Sequence, residues 1–493
     1  MKPNIVIIVL DAVRAQNLPF YGYHRNTTPF LSSMEKDLAI YENAISSSYW
    51  TMPSIASLFT GMYTSGHGLV VDGDKLDESL STLPRVLQRN GYRCAAFVRN
   101  VYVSEYSGLN ASFHDFHSRC AVDQLKDFAS IILKREVGRL QPPGINRLYD
   151  PPLGFDQSKW GFFYKIVPRL ADVLMDSGGG RFVSDFAKWL AKYKGNPFFV
   201  YFHFLETHSP YRAPRRFATK FLSLRDNLKK LFINHNHLSF LTHRDQMTLE
   251  DFHILVSAYD NSILYIDYLM GGIVSLLKKN RAYDNTLLIV LSDHGDNIGD
   301  HGLMFHYWCL YDTLIRIPLL VKFPFHVGLA GRISKVVQNV DIFPTVLSIL
   351  GEEDEEVWEQ VQGNDLLEQT AYKREPELGI SELVKVFGPD KRKYKELFPQ
   401  FDRRLLSVRT SDRKFIYSSR EDHEFYDLLD DPSESRNLFT DGGNCSYLME
   451  KAFKYYRRMD GFYQSNRDKI DGDQDAEKID ESVIEHLKSL GYM

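Results

Sequence analysis

The chain has 493 residues, a formal net charge of −5 and 44% hydrophobic residues, enough for more than one ordinary hydrophobic core. Four scattered cysteines in this length exclude a small disulfide-stapled fold and predict reduced thiols. The chain has no basic cluster interleaved with aromatics, so we expect no nucleic-acid partner. Its first apolar run follows Lys2 and is too short for a signal-peptide core or a membrane span, which predicts a cytoplasmic protein with no transmembrane segment.

The first predicted element is a strand over Asn4–Leu10, whose apolar composition is typical of burial on both faces. Asp11 follows it directly. A helix is predicted after Ser48, because Thr51 precedes Pro53 and the apolar stretch ends at Gly61. Thr51 is expected at or near the helix N-cap, where backbone N–H groups favour an anion such as phosphate or sulfate. For an isolated threonine, a plain cap would be the better interpretation.

Two further strands are predicted to deliver polar side chains to the same edge. Asn100 closes a run that begins at Ala95, and its amide is a candidate donor to ester oxygens or, equally, a structural cap. His208 follows the mostly apolar run Phe198–Leu205. His208, like His306 further along the chain, could instead be a buried histidine whose ring is hydrogen-bonded to a backbone carbonyl.

The strongest signal lies after the apolar run Thr286–Leu291, where Asp293 and His294 occur side by side. In open α/β sheets, ligands bind at the carboxyl ends of strands, so these residues are expected near Asp11. A carboxylate oxygen and an imidazole nitrogen together suit a divalent metal ion. An Asp-His pair alone would more often be part of a turn. Here two buried strands are each followed by an aspartate, and this repetition favours a metal site.

The motifs also match a known family in order along most of the chain. They are Asn4–Arg14, Tyr21–Tyr23, Thr28–Leu31, Thr51–Gly68, Thr82–Asn100, Pro197–Tyr211, Tyr259–Gly302, Leu310–Val321, Val340–Thr345, Glu424–Leu428, Asp431–Pro432 and Asn437–Leu438. In these segments the chain resembles the sulfatase-like branch of the alkaline phosphatase superfamily. The resemblance implies a large, mostly parallel sheet between helices and a small C-terminal α+β domain.

The departures from this family bear on the chemistry. Sulfatases carry a cysteine or serine where this chain has Thr51, and a maturation enzyme converts it to formylglycine, which threonine cannot become. They also carry an arginine in place of Ile55, often an aspartate in place of Ala12, and often an asparagine in place of His294. At its nucleophile the chain therefore resembles the phosphoethanolamine and phosphoglycerol transferases, which use a metal-bound threonine directly, and its active site also resembles that of phosphonate monoester hydrolases.

The resemblance implies roles for the predicted site residues. One divalent ion would be held by Asp11, Thr51, Asp293 and His294. With fewer oxygen ligands and one imidazole, Mn²⁺ or Zn²⁺ is favoured, and Ca²⁺ or Mg²⁺ remains an alternative. The catalytic candidates are Thr51 as nucleophile, His208 at the ester group, and His306 as general acid on the leaving oxygen, because imidazole titrates near neutral pH. The candidates for substrate binding are Asn100, His67 and His301; both histidines lie beside a glycine and fit a turn equally well.

The predicted organisation has three parts. Residues 1–351 form the catalytic domain, with an insertion over 125–241 that shapes the pocket; 352–460 form a small domain of short strands; and 461–493 form a linker and a helix at Glu481–Leu490. The predicted function is a metal-dependent hydrolase or transferase of phosphoesters of a small molecule, lipid headgroup or glycan. The alternatives are a sulfate-ester hydrolase that works without formylglycine and an inactive binding protein on the same fold.

Overall fold

The computed structural model describes residues 2–118, 178–193, 197–211, 213–234, 236–243, 246–324, 327–385, 399–440, 445–467 and 470. Ten strands lie between residues 4 and 338, the N-terminal region: β1 Asn4–Leu10, β2 Ala39–Ile45, β3 Arg93–Val98, β4 Asp115–Ser118, β5 Phe198–Phe204, β6 Thr286–Leu291, β7 Asn297–Ile298, β8 Met304–Phe305, β9 Leu319–Lys322 and β10 Gly331–Gln338. The predicted strands over Asn4–Leu10 and Thr286–Leu291 are confirmed residue for residue.

Eight of these strands form one sheet in the order β10-β2-β9-β6-β1-β5-β3-β4. All neighbouring pairs are parallel except those of β9, which runs antiparallel to β2 and β6. Val9 pairs with Leu291 on one side and with His203 on the other, so β1, β5 and β6 end at the same edge. This register brings polar residues that are distant in sequence together beside Asp11.

Helices cover the sheet on both faces. Their bounds are Pro29–Ser33, Thr51–Thr60, Thr64–His67, Leu83–Arg89, Gly179–Lys192, Arg215–Ala218, Leu224–Lys230, His237–Leu241, Leu249–Lys279, Asp312–Ile315, Ile342–Leu350 and Glu355–Gln360. Phe59 packs on Tyr201 of β5 at 5.0 Å between ring centroids, whereas Phe186 packs on Phe202 at 5.3 Å. Successive strand residues face opposite sides, so these two helices cover opposite faces, and the predicted fold class is confirmed.

A second, four-stranded antiparallel sheet lies nearer the C-terminus. It consists of β11 Gly379–Leu383, β12 Leu405–Arg409, β13 Arg413–Ser418 and β14 Glu424–Asp427, and a helix spans Ser446–Ser465. The helix packs on this sheet through Tyr456, whose ring centroid is 4.2 Å from that of Tyr417. An ion pair connects this sheet to the N-terminal region: the Nζ of buried Lys414 is 3.0 Å from a carboxylate oxygen of Asp312.

Some predictions fall on residues whose structure is not described. They are the helix Glu481–Leu490 and the part of the proposed insertion that spans residues 125–177. Within those ranges, no helix combines the length and the apolar character that crossing a bilayer requires.

Candidate metal and catalytic site

The site lies where β1, β5 and β6 end. Asp11 follows β1 directly, and Asp293 and His294 follow β6. Thr51 is the first residue of the helix Thr51–Thr60, so the N-cap is Trp50 and not Thr51. The Thr51 hydroxyl is directed to the site, since its Oγ1 lies 3.2 Å from His294 Nε2 and 3.3 Å from Asn100 Nδ2. Thr51 remains within the first turn, where the orphan N–H groups and the positive end of the helix dipole lie.

The carboxylates of Asp11 and Asp293 each have one oxygen that accepts hydrogen bonds and one oxygen for which the described residues provide no donor. Asp11 Oδ2 accepts hydrogen bonds from Asn100 Nδ2 at 2.7 Å and from His203 Nε2 at 2.9 Å. Asp293 Oδ1 accepts from the backbone N–H groups of His294 at 2.9 Å and Ala12 at 3.1 Å. The other oxygens, Asp11 Oδ1 and Asp293 Oδ2, are buried and have no hydrogen-bond partner among the residues that the structure describes. Burying a carboxylate oxygen without a hydrogen-bond donor destabilises the folded protein, and a cation bound between the two oxygens would remove this effect.

His294 directs an acceptor nitrogen to the same point. Its Nδ1 lies 2.7 Å from the carbonyl oxygen of Gly295, which can only accept, so Nδ1 carries the proton. Its Nε2 then accepts from the Thr51 hydroxyl at 3.2 Å, and it lies 3.4 Å from Asp293 Oδ2 and 3.9 Å from Asp11 Oδ1. Two carboxylate oxygens, one imidazole nitrogen and one hydroxyl therefore converge, and this donor set fits a divalent cation.

The electrostatics of the two carboxylates point the same way. Burial and the negative charge of Asp11 both raise the pKa of Asp293. Burial would also raise the pKa of Asp11, but the hydrogen bond from His203 and the nearby His208 hold that pKa below its usual range. One carboxylate thus stays ionised and opposes ionisation of the other, a conflict that a bound cation would remove.

His203 belongs to the site but is missing from the sequence-based prediction. It lies inside β5, where it is the one polar side chain apart from Tyr201 in an otherwise apolar strand. Asp11, His203 and Asp293 offer ligand atoms that all lie within 4.8 Å of one another. Because His203 Nε2 already donates to Asp11 Oδ2, we assign the imidazole ligand to His294, whose Nε2 has no such bond. A histidine within an apolar strand that ends beside Asp11 is the signal that would have found it.

Two more histidines line the site next to this cluster. The His306 ring centroid is 4.3 Å from that of His294 and 5.2 Å from that of His208. His306 Nδ1 lies 3.4 Å from Asp296 Oδ1, and the other oxygen of Asp296 accepts from the Tyr211 hydroxyl at 2.7 Å. Burial, then the neighbouring His294, lower the pKa of His306 to about 4. This lowering runs against the expectation that the imidazole titrates near neutral pH.

Two predicted substrate-binding residues make their contacts elsewhere. His67 Nδ1 accepts from the Leu69 N–H at 3.2 Å, and its Nε2 is 3.1 Å from Ser57 Oγ. Burial lowers the pKa of His67 to about 3, so it is a neutral side chain that ties a turn to the helix Thr51–Thr60. His301 is exposed, and its ring stacks on Tyr311 at 3.8 Å. Neither ring has a described contact with the cluster, whereas Asn100 Nδ2 reaches Thr51 Oγ1 at 3.3 Å.

The sheet and the cluster at its carboxyl edge agree with the family that the sequence comparison gives. The sequence profile of the family described as Sulfatase matches residues 3–352, and that described as N-sulphoglucosamine sulphohydrolase, C-terminal matches residues 299–454. The chain belongs to the sulfatase family, and it is an ester hydrolase by that membership.

The proteins to which this chain is similar include a sulfatase and a phosphonate monoester hydrolase. The choline-sulfatase of Rhizobium meliloti is 23% identical over 89% of this chain and 82% of its own length. The multifunctional alkaline phosphatase superfamily protein PehA of Trinickia caryophylli is 23% identical over 92% of this chain and 94% of its own. The crystal structure of the phosphonate monoester hydrolase of Agrobacterium radiobacter superimposes with a TM-score of 0.70 at 20% identity, covering 94% of this chain and 96% of the other.

Gly295 holds the turn that presents His294. A Cβ on this residue would overlap the carbonyl oxygen of Thr313. We expect Gly295→Ala to lower the free energy of unfolding by about 1–3 kcal/mol, because the backbone would have to shift to relieve the overlap. Gly461→Ala is the control, since a Cβ there meets nothing within 4 Å. Denaturant unfolding of the native protein and of both variants measures this. An unfolding midpoint of Gly295→Ala equal to that of the native protein would contradict the prediction.

Proposed function

We propose that this protein hydrolyses or transfers phosphoesters, with Thr51 as the covalent nucleophile. The observation that carries the proposal is the position of the Thr51 hydroxyl. Thr51 is the first residue of a buried helix. Its Oγ1 lies within 3.3 Å of both His294 Nε2 and Asn100 Nδ2. Threonine at this position has no route to formylglycine, so its own oxygen is the available nucleophile.

The residues have separate parts in the reaction. A divalent cation held by Asp11, Asp293 and His294 would lower the pKa of the Thr51 hydroxyl and neutralise charge on the ester oxygens. Asn100, whose amide also donates to Asp11 Oδ2, keeps a donor directed at Thr51 Oγ1. The rings of His208 and His306, 5.2 Å apart, form the pair that exchanges protons with the leaving and entering oxygens.

The proposed reaction has two displacements at phosphorus. In the first, Thr51 Oγ1 loses its proton to solvent and bonds to phosphorus, while the bond from phosphorus to the leaving oxygen breaks. The negative charge of the bound ester favours a proton on the His208–His306 pair, which opposes the lowering of the His306 pKa by burial, and the leaving oxygen takes that proton. In the second, water or an acceptor alcohol gives a proton to that pair and bonds to phosphorus. The Thr51–phosphorus bond then breaks, and the Thr51 oxygen regains a proton from solvent.

Sulfate-ester hydrolysis is the second candidate, because the chain belongs to the sulfatase family and its relatives include a choline-sulfatase. The identity of residue 51 distinguishes the two candidates. A formylglycine hydrate expels sulfate from one carbon, whereas a threonine ester must be opened by a second attack on the central atom. A phosphoryl group offers more negative charge for a cation to hold during that attack than a sulfuryl group does.

We expect the purified protein, supplied with Mn²⁺ or Zn²⁺, to cleave aryl phosphate or phosphonate esters faster than the matching aryl sulfate. Monoesters and diesters with one common aryl leaving group make the comparison direct. Activity should not change when a formylglycine-generating enzyme is co-expressed, because Thr51 is not its substrate. A sulfate monoester cleaved faster than every phosphorus ester would favour the second candidate instead.

A further inference from the structure

A buried hydrogen-bonded chain runs from β5 to Asp11. The Tyr201 hydroxyl lies 2.8 Å from His203 Nδ1, and His203 Nε2 lies 2.9 Å from Asp11 Oδ2. All three side chains are buried, and Tyr201 and His203 stand on the same face of β5 because they are two residues apart. The chain ends on Asp11 Oδ2, the oxygen that also accepts from Asn100.

The donors in this chain have one consistent direction. The Asp11 carboxylate can only accept, so His203 Nε2 carries the proton and Nδ1 is left as an acceptor. The Tyr201 hydroxyl then donates to Nδ1. Burial, Asp293 and Asp11 raise the pKa of Tyr201 well above its usual range, so the hydroxyl keeps its proton. The surroundings of Tyr201 are apolar, with the Phe59 ring centroid 5.0 Å away.

We propose that His203, oriented by Tyr201, is a positioning residue that fixes which oxygen of Asp11 faces the cation. The inference rests on the proposed function, since it assigns Asp11 Oδ1 to the cation named there. His203 is thus not itself a ligand.

The physical reason is the near symmetry of a carboxylate. Rotation of the Asp11 side chain exchanges its two oxygens, and only donors on one of them favour a single orientation. Two donors hold Oδ2, from Asn100 and from His203, while Oδ1 has none. Because the imidazole donor is on Oδ2, Oδ1 remains available to the cation. Hydrogen-bond partners of metal ligands commonly change metal affinity by about 10- to 100-fold.

The test measures metal affinity directly and does not depend on turnover. Isothermal titration of the chelator-treated full chain with Zn²⁺ and with Mn²⁺ would compare the native protein with His203→Leu, His203→Gln and Tyr201→Phe. We expect His203→Leu to weaken binding about 10- to 100-fold. His203→Gln should stay within about threefold of native, because its amide still donates to Asp11. Tyr201→Phe should weaken binding about 2- to 10-fold, the value of one ordinary hydrogen bond.

A matched control is Tyr41→Phe, which removes a buried hydroxyl that makes no described hydrogen bond and lies on β2. It should bind metal as the native protein does. If His203→Leu does not fold, Tyr201→Phe against Tyr41→Phe decides the matter, and equal affinities would overturn the inference. Loss in His203→Gln as large as in His203→Leu would also overturn it, because that result means direct ligation by the imidazole. A native protein that binds no divalent ion would instead refute the metal site of the proposed function.

Discussion

Thr51→Ala is expected to abolish turnover and to leave the fold intact. Removal of a covalent nucleophile lowers kcat by roughly 10⁴-fold or more. The cost to stability should be about 1 kcal/mol or less, because the hydroxyl makes no capping bond in the structure. Steady-state kinetics with the best phosphorus ester, together with thermal unfolding, measure the two effects separately. Thr51→Ser should retain partial activity, because it keeps an oxygen at the same place.

The matched control for this variant is Thr60→Ala. Thr60 ends the same helix, is buried, and donates its hydroxyl to the Ala56 carbonyl at 2.7 Å. Its loss should cost stability without a comparable loss of kcat. Mass spectrometry of the native protein quenched during turnover should find a phosphoryl group on Thr51. A Thr51→Ala enzyme with near-native kcat would refute the nucleophile.

Asp293→Ala is expected to lose both metal binding and activity. The variant removes the unpartnered Oδ2 as well as the oxygen that accepts from the Ala12 and His294 N–H groups. With one carboxylate fewer, the remaining Asp11 and His294 hold a divalent ion weakly. The native protein should bind about one ion per chain. Titration calorimetry and elemental analysis of the dialysed protein measure this.

Asp267→Asn is the control for loss of a buried carboxylate. Asp267 accepts from the N–H groups of Phe30 and Leu31 at the start of the helix Pro29–Ser33, and it takes no part in the cluster. The variant should lose stability but keep its metal content. Full activity of the native protein in excess chelator would contradict the metal prediction.

The strands that build the site could be predicted from the sequence because their signal is local. Asn4–Leu10 and Thr286–Leu291 are unbroken apolar runs, and each is followed at once by polar residues. The placement of both runs at one edge follows from the rule for parallel sheets, so the proximity of Asp11 to Asp293 could be predicted too. The position of Thr51 was predicted to within one residue, because Pro53 marks a first turn but does not fix the cap.

The rest depends on contacts between distant parts of the chain. His203 lies in a strand whose composition predicts burial, and only the pairing of Val9 with His203 places it beside Asp11. The low pKa of His306 arises from burial and from His294, neither of which a local pattern encodes. His67 and His301 stay predictions, since a histidine beside a glycine suits a turn as well as a binding site and only the fold decides contact with the cluster.

The strand order has a consequence for how the protein is made. β1 is synthesised before both of its neighbours in the sheet, which begin at Phe198 and Thr286. At ribosomal rates, β5 is complete roughly 10–40 s after β1, and β6 is complete about 4–17 s after β5. Until β5 is made neither edge of β1 is paired, until β6 is made one edge stays open, and contacts of such long sequence separation form slowly. We therefore expect the nascent chain to need shielding from aggregation, and the cluster of Asp11, Asp293 and His294 to form only after most of the chain has been translated.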